Sequence, residues 1–519
     1  MLSYDAIIIG GGTNGLACAA KLQSAGRRIL VLEAGVAPGG TAIGAEFAPG
    51  FARPALAHIA HQIDPRVMAG MALVKHGLTF ISANLSSTAL SATGDHLVLS
   101  DAAGGRIDGS VSPDDSASWA TLRTQLLAFA RVLAPFKAIT PPRLAKGSGN
   151  DYLRLAKLGL GVRALGKADF RELLRMMLIN VADVLNDELG DDRLKGLVGF
   201  DATLGSWLGP QSPNSLILLL NRLAGDCDGR MAALGLPAGG MQAVAAAMST
   251  SVVAMGAMVR TDTRVNRLII ENDQACGVEL DGGEAIRAPL IVSAINPKTT
   301  FLTLVGPQHL DTGFVNRVRA AKSRGAAAKL HLALTAAPDF RGAALTSRLV
   351  IAPSLRVVET AYNAVKYNQV PDHPVMEIVI PSAFEAGHAP PGQHLLSAIV
   401  QFAPHAPGQG HDAARAAMLA NTLAVLETYA PGIGALISHA ELLMPYDIEA
   451  RYGLIGGNWH HGELSVEQML FLRPFPGIAQ YQTPIAGLWL AGAGCHPGGG
   501  ISGAAGWNAA ERIIKVGRI

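Results

Sequence analysis

The sequence predicts an α/β protein in which a discontinuous parallel-sheet domain, assembled from both ends of the chain, is interrupted by a mixed sheet-plus-helix domain. Three observations predict it. A strand, glycine loop, helix, strand and terminal acid succeed one another in residues 6–33, and a second strand, glycine loop and helix occupy residues 487–515. The chain of 519 residues is also too long for one ordinary core.

Composition narrows the class further. Hydrophobic residues make up 49% and charged residues 16%, which requires a large interior and excludes a disordered chain or a coiled coil. A formal net charge of +2 gives no support to nucleic-acid binding, which needs a concentrated basic face. Cys18, Cys227, Cys276 and Cys495 are scattered, so there is no CxxC redox pair and no zinc spacing, and no metal is expected. Scattered thiols fit a reducing compartment, and the N-terminus runs straight into a strand with no room for a signal peptide, so a cytoplasmic protein is expected. Residues 231–259 carry no charge and are long enough to span a bilayer. They also contain Pro237, Gly239, Gly240, Gln242 and Ser249, which favours a turn followed by a buried helix.

The first element is the β-branched run AIII at residues 6–9, suited to a buried parallel strand. Residues 10–15, GGGTNG, match G-x-G-x-x-G. Gly10 permits a tight turn, Gly12 lets a pyrophosphate approach the backbone, and Gly15 allows close packing of helix on strand. Thr13 and Asn14 complete the loop, whose amides at the helix start suit phosphates. A helix over 16–22 and a strand over 28–32 follow, then Glu33 and Ala34, with the Glu33 carboxylate placed to accept from a ribose diol and to repel a 2′-phosphate. A second glycine pair, Gly39 and Gly40, precedes Thr41.

At the far end, GLWLA at 487–491 reads as a buried strand. It runs into GAGCHPGGGISG at 492–503 and a helix over about 504–515 with Ser502 as its N-cap. Between the ends, β-prone runs at 78–81 and 96–99 precede a helical region at about 112–230. Gly240 opens a helix, 258–260 and 266–270 read as strands with 277–280 paired by a hairpin, and 329–334, 375–380 and 395–400 read as further strands.

The N-terminal fingerprint together with LWLAGAGCHPGGGISGAAGWNAA resembles the phytoene desaturase-like flavin oxidoreductases, which include carotenoid desaturases, carotenoid isomerases and retinol saturases. Segments LPAGG at 236–240, VSAINPK at 292–298, GGNWHHGE at 456–463 and FLRPF at 471–475 extend the resemblance over nearly the whole chain. The resemblance implies FAD, with Gly39 and Gly40 passing close to it, Val265 contacting the adenine through its backbone, and Gly492, Gly494, Gly500 and Ile501 in the second cofactor loop. The C-terminal helix would then aim its N-terminus at the flavin N1 side. Cys495 stands where that family usually has threonine.

The resemblance further implies an FAD-binding domain over 1–78, 231–310 and 456–519, and a substrate domain over 79–230 and 311–455. The reaction class implied is desaturation, saturation or isomerisation by hydride transfer at flavin N5, on a hydrophobic, isoprenoid or lipid-like substrate. No second complete fingerprint for a nicotinamide is visible, so oxygen, a quinone or a protein is expected as electron acceptor. His496, Glu463 and His460, with His461 beside them, are the catalytic candidates, loop hydrogen bonding being the competing role. Arg473 is expected to pair with Glu463 or to face substrate. Basic residues Lys146, Arg154, Lys157, Arg163, Lys167, Arg171 and Arg175, interleaved with leucines, describe either a peripheral membrane contact or a solvated helix face. Homo-oligomerisation stays open. Two other functions also remain open: a flavin amine oxidase of related fold, which expects an aromatic cage that 5% aromatic residues disfavours, and a non-enzymatic FAD-binding regulator or lipid-binding scaffold.

Overall fold

The computed structural model describes residues 4–54, 56–100, 104–144 and 147–517. The expected α/β class with a Rossmann-type sheet is what folds. Five short parallel strands lie in the order Met258–Arg260, Ile29–Leu32, Ala6–Ile9, Ile291–Ser293 and Leu488–Leu490. Ala6–Ile9 and Ile29–Leu32 are buried at every position, as strands covered on both faces must be. The helix Thr13–Gln23 packs against both the C-terminal helix Ala504–Val516 and the helix Met241–Ala254, so the two ends of the chain share one core.

Local signals account for most of these elements. Asn272 and Asp273 both hold positive φ, 49° and 60°, which is the twist a two-residue hairpin between Val265–Glu271 and Gln274–Leu280 requires. The uncharged run resolves into a turn and the helix Met241–Ala254, started by Gly240 at φ 72°. Among the described residues, no helix is long and apolar enough to cross a membrane. The N-cap of the C-terminal helix is Gly503 at φ 70°, one residue later than expected. Ser502 still supports that end, because its hydroxyl accepts from the Ala504 N–H at 3.2 Å.

A second, eight-stranded sheet has the order Ile437–Leu443, Ala327–Leu334, His394–Gln401, Val375–Val379, Arg348–Ile351, Ser87–Ala89, Leu97–Ser100 and Arg106–Asp108. It is antiparallel except where Arg348–Ile351 meets Ser87–Ala89. One face, with Leu330, Met376, Ile378 and Leu396, packs on the helix His411–Tyr429 through Met418 and Leu426. The period of two puts Lys329, Glu377, Ser397 and Arg348 on the opposite face. Helices Pro113–Lys137, Asp192–Thr203 and Leu216–Leu223 cover the edge of the sheet near Leu97 and Leu99. The early β-prone run forms Phe80–Ser82, which pairs with Leu236–Pro237 and not with the large sheet.

Lys146, the first basic residue of the interleaved stretch, lies outside the described residues. The remainder forms the helices Gly149–Ala164 and Gly166–Leu178. Within Gly149–Ala164 only Asp151 is buried, and Leu153, Leu160, Leu174 and Leu178 all point to solvent.

Candidate functional site

The fingerprint loop and the C-terminal glycine loop meet. Gly506 in the C-terminal helix lies so close to the loop that a Cβ there would be 1.8 Å from the Asn14 carbonyl oxygen. A Cβ on Gly503 would stand 3.1 Å from the side chains of Ala17 and Val67. The second glycine pair joins the same place, since the Gly39 N–H donates to the Gly11 carbonyl at 2.8 Å and Gly12 bridges Gly39. Thr41 follows, and its carbonyl accepts from the Leu56 and Ala57 amides, each at 3.3 Å.

Glu33 holds this arrangement together: its Oε2 accepts from the Gly11 N–H and its Oε1 from the Gly35 N–H, both at 2.7 Å. A carboxylate offers about four lone-pair positions, so two remain for hydroxyl donors. The Glu33 backbone also ties in the hairpin segment, because Glu33 N–H donates to Arg260 O at 2.9 Å and Thr263 N–H donates to Glu33 O at 2.8 Å. That brings buried Val265 to the acid's side of the cleft and leaves Ala34 exposed beside it.

The glycines themselves test whether a cofactor fits. Protein neighbours explain Gly15, where a Cβ would lie 2.0 Å from the Gly10 carbonyl oxygen, and Gly39, where it would lie 2.4 Å from the Ala245 Cβ. Gly492 and Gly494 are likewise crowded, by Ala294 O at 2.5 Å and Pro297 at 2.6 Å. Gly12 is different. Its φ of −66° suits any residue, and the nearest atom to a Cβ there is Gly40 Cα at 3.9 Å. Neither strain nor packing against protein calls for glycine at 12, whereas a phosphate lying on the backbone would. The Asn14 Oδ1 is buried without a partner in the same loop, an acceptor open to a donor such as a nucleotide hydroxyl or amino group.

On the other side of the cleft the histidines are buried and neutral. The His496 Nε2 donates to Phe136 O at 2.7 Å, which leaves Nδ1 as a buried acceptor with no partner; burial pulls its pKa down to about 4. The Trp459 indole donates to His460 Nε2 at 2.9 Å, so the His460 proton sits on Nδ1, also unpartnered; burial, then Arg473, lowers this pKa to about 3. His461 is lowered to about 4 by burial and then Arg473. None of the three is a cation near neutral pH, so each can accept or relay a proton only as neutral imidazole.

Glu463 is committed elsewhere: Arg324 grips its two oxygens at 2.6 and 3.0 Å. Arg473 does not pair with the Glu463 carboxylate, and the cavity it borders, with Lys298, His461 and Phe475, is small, about 10 Å³. Its guanidinium is enclosed by the backbone carbonyls of His460, Gly462, Glu463, Gln468 and Ala493, and burial lowers its pKa to about 10. It acts as the tie that shapes residues 460–468 against the C-terminal glycine loop. The Cys495 thiol is pushed up to about 12 by burial and stays protonated. Gly500 and Ile501 hold positive φ, 105° and 58°, and Gly500 lies against the Gln62 amide, which donates to Gly499 O at 2.7 Å.

Several buried charged or titratable residues were not singled out by sequence reasoning. Lys137 donates to Gln62 Oε1 at 2.7 Å and to Asn221 O at 3.0 Å, and burial lowers it to about 8. His58 donates through Nε2 to Glu377 Oε1 at 3.0 Å and accepts from Lys329 Nζ at 3.0 Å through Nδ1. Arg348 binds Glu377 at 2.6 Å and Asp201 at 2.5 Å; burial opposes its charge, but the two acids outweigh that and keep it protonated. The signal was present: Lys329, Arg348 and Glu377 are charges inside otherwise apolar strands, AAKLHLAL, RLVI and VMEIV.

Residues 8–72 match the family model described as an NAD(P)-binding Rossmann-like domain. The chain is 29% identical to the pyridine nucleotide-disulfide oxidoreductase domain-containing protein 2 of Rattus norvegicus, over 99% of this chain and 93% of that one. It is 24% identical to the hydroxyneurosporene desaturase of Cereibacter sphaeroides, over 98% and 97%. In fold it is similar to a redesigned putrescine oxidase, with a TM-score of 0.63 at 16% identity, covering 99% of this chain and 98% of that one.

Proposed function

We propose that this chain, which belongs to the FAD oxidoreductase family that contains the carotenoid desaturases, binds one FAD between its two glycine loops and oxidises, saturates or isomerises a largely apolar substrate. The observation that carries the reading is Gly12, a glycine that the protein's own packing does not require and a bound pyrophosphate does. When bound, the flavin supplies a two-electron acceptor or donor. The chain's residues do the rest: Gly11, Gly12 and the start of the helix Thr13–Gln23 receive the phosphates, and Glu33 receives the ribose. Neutral His460 and His496, buried beside the second loop, are placed to orient that loop and to exclude water, with Arg473 fixing the His460 carbonyl and the Tyr481 hydroxyl that of His496. The desaturase relatives support the apolar substrate.

Purified protein is expected to be yellow. Gly12→Val should remove the colour while leaving the fold intact, because the nearest protein atom is 3.9 Å from the new Cβ. A Gly12→Val protein that keeps a full flavin complement would refute the site. Reoxidation of chemically reduced protein by oxygen against a quinone then identifies the acceptor.

A peripheral membrane contact is part of the proposal. Leu153, Leu160, Leu174 and Leu178 lie exposed among Lys157, Arg163, Lys167 and Arg171, which is complementary to an anionic lipid surface. Co-sedimentation with phosphatidylserine vesicles, lost on Leu153→Ser with Leu160→Ser, is the expected result; equal recovery with and without vesicles excludes the contact.

A further inference from the structure

A cavity of about 70 Å³ lies between the edge of the eight-stranded sheet and the helices that cover it. By the space one water needs, that holds on the order of five waters. Much of its wall is apolar, with Leu126, Leu197 and Leu219, and His61, Arg123, Asp201 and Arg222 line it as well. A cavity with apolar walls and two arginines set against a single carboxylate suits an amphipathic molecule with an anionic end.

The cation is under-used by the protein. The closest acidic atom to Arg222 is Asp201 Oδ1 at 3.5 Å, and that same oxygen is held by Arg348 at 2.5 Å. Glu377, the other acid of this face, is bonded by Arg348 and His58. Among the described residues, the Arg222 guanidinium meets an acid only in that long contact with Asp201, and the His61 ring feels its neighbours through charge. An arginine presents five donors in a planar fork matched to a carboxylate. The charges reaching His61 are those of Arg222 and Lys137 against Glu377, so a negative group here meets a positive field; burial, then Arg222, keeps the imidazole itself neutral.

We propose that this cavity is the subsite for the anionic end, a carboxylate, of an otherwise apolar substrate, with Arg222 as its counter-ion and His61 as a neutral hydrogen-bond donor. The subsite also sets direction. His61 is followed in the chain by Gln62, whose amide is bonded to Gly499 in the C-terminal glycine loop. In this proposal a substrate anchored at Arg222 extends its carbon chain past His61 toward that loop. The proposal rests on the oxidoreductase reading above and narrows its substrate class to chains ending in an acid.

The test is calorimetric binding of hexanoate, hexanol and hexylamine to the protein as purified, with flavin content read from the visible band of the same samples. Hexanoate is expected to bind at least about tenfold more tightly than the other two. Arg222→Gln should weaken hexanoate on the order of ten- to hundredfold, and Arg222→Lys should recover part of the loss. Hexanol or hexylamine binding as well as hexanoate overturns the proposal, as does wild-type hexanoate affinity in Arg222→Gln. If that variant does not fold, the wild-type ligand series decides alone. A colourless protein that still selects hexanoate refutes the flavin reading and keeps the subsite; a yellow protein indifferent to hexanoate does the reverse.

Discussion

Substituting Gly506 by alanine tests the meeting of the two chain ends directly. The new Cβ would lie 1.8 Å from the Asn14 carbonyl oxygen, whereas side-chain carbons rarely come within 3.0–3.4 Å, so the C-terminal helix must retreat by about 1.2–1.6 Å. The atom met is backbone in a buried loop and cannot swing away. Neighbours Ala504, Ala505, Trp507, Asn508, Ala509 and Ala510 are all buried and would lose contact together. Overpacking of this kind costs about 3 kcal/mol at the upper end of its usual range. Alanine returns about 1 kcal/mol through helix propensity, leaving a net loss of about 2 kcal/mol. Gly159→Ala is the control, since a Cβ at that helical position meets nothing within 4 Å and only the propensity gain applies. Urea midpoints and flavin-to-protein ratios of the two variants are the assay. Gly506→Ala should lose both stability and flavin, because the displaced helix carries Gly500 and Ile501 with it. If Gly506→Ala matches Gly159→Ala in both measurements, the convergence of the two loops is wrong.

Acid should destabilise the protein above the carboxylate range. His58, His461 and His496 are lowered to about 4, and His460 to about 3, from 6.5. Between those values the unfolded chain binds protons that the folded chain does not, so stability falls as pH drops from about 6.5 toward 4. A urea midpoint that stays level from pH 7 to 5 contradicts this, and His496→Gln should flatten the slope. Arg473→Met removes the donor to five buried carbonyls and should cost on the order of 3 kcal/mol in urea unfolding; a loss under about 1 kcal/mol would show that water replaces the guanidinium. Iodoacetamide near pH 8 should label half-buried Cys276 before Cys495, whose thiol is buried and held at about 12. Rapid labelling of Cys495 in folded protein would place that loop at the surface.

The amino-acid order alone determined the parallel sheet and its glycine loops, because those elements are written in short windows: β-branched strands, glycines at forced turns, and an acid at the end of the second strand. Glu33, Gly12 and the loop at 492–503 were legible for that reason. What the tertiary structure decided is the buried charge cluster between the large sheet and its covering helices. Lys329, Arg348 and Glu377 come from three strands, Asp201 and Arg222 from two helices, and His58 and His61 from a loop. Their meaning depends on strand register and on which helix covers which edge, information no window contains. Glu463 and Arg473 show the same limit in reverse: expected as a candidate pair, they touch only through the Glu463 backbone carbonyl, because Arg324 neutralises the carboxylate and backbone carbonyls enclose the guanidinium. A charge's role is set by the partners that burial leaves it, and those partners are chosen only when the chain folds.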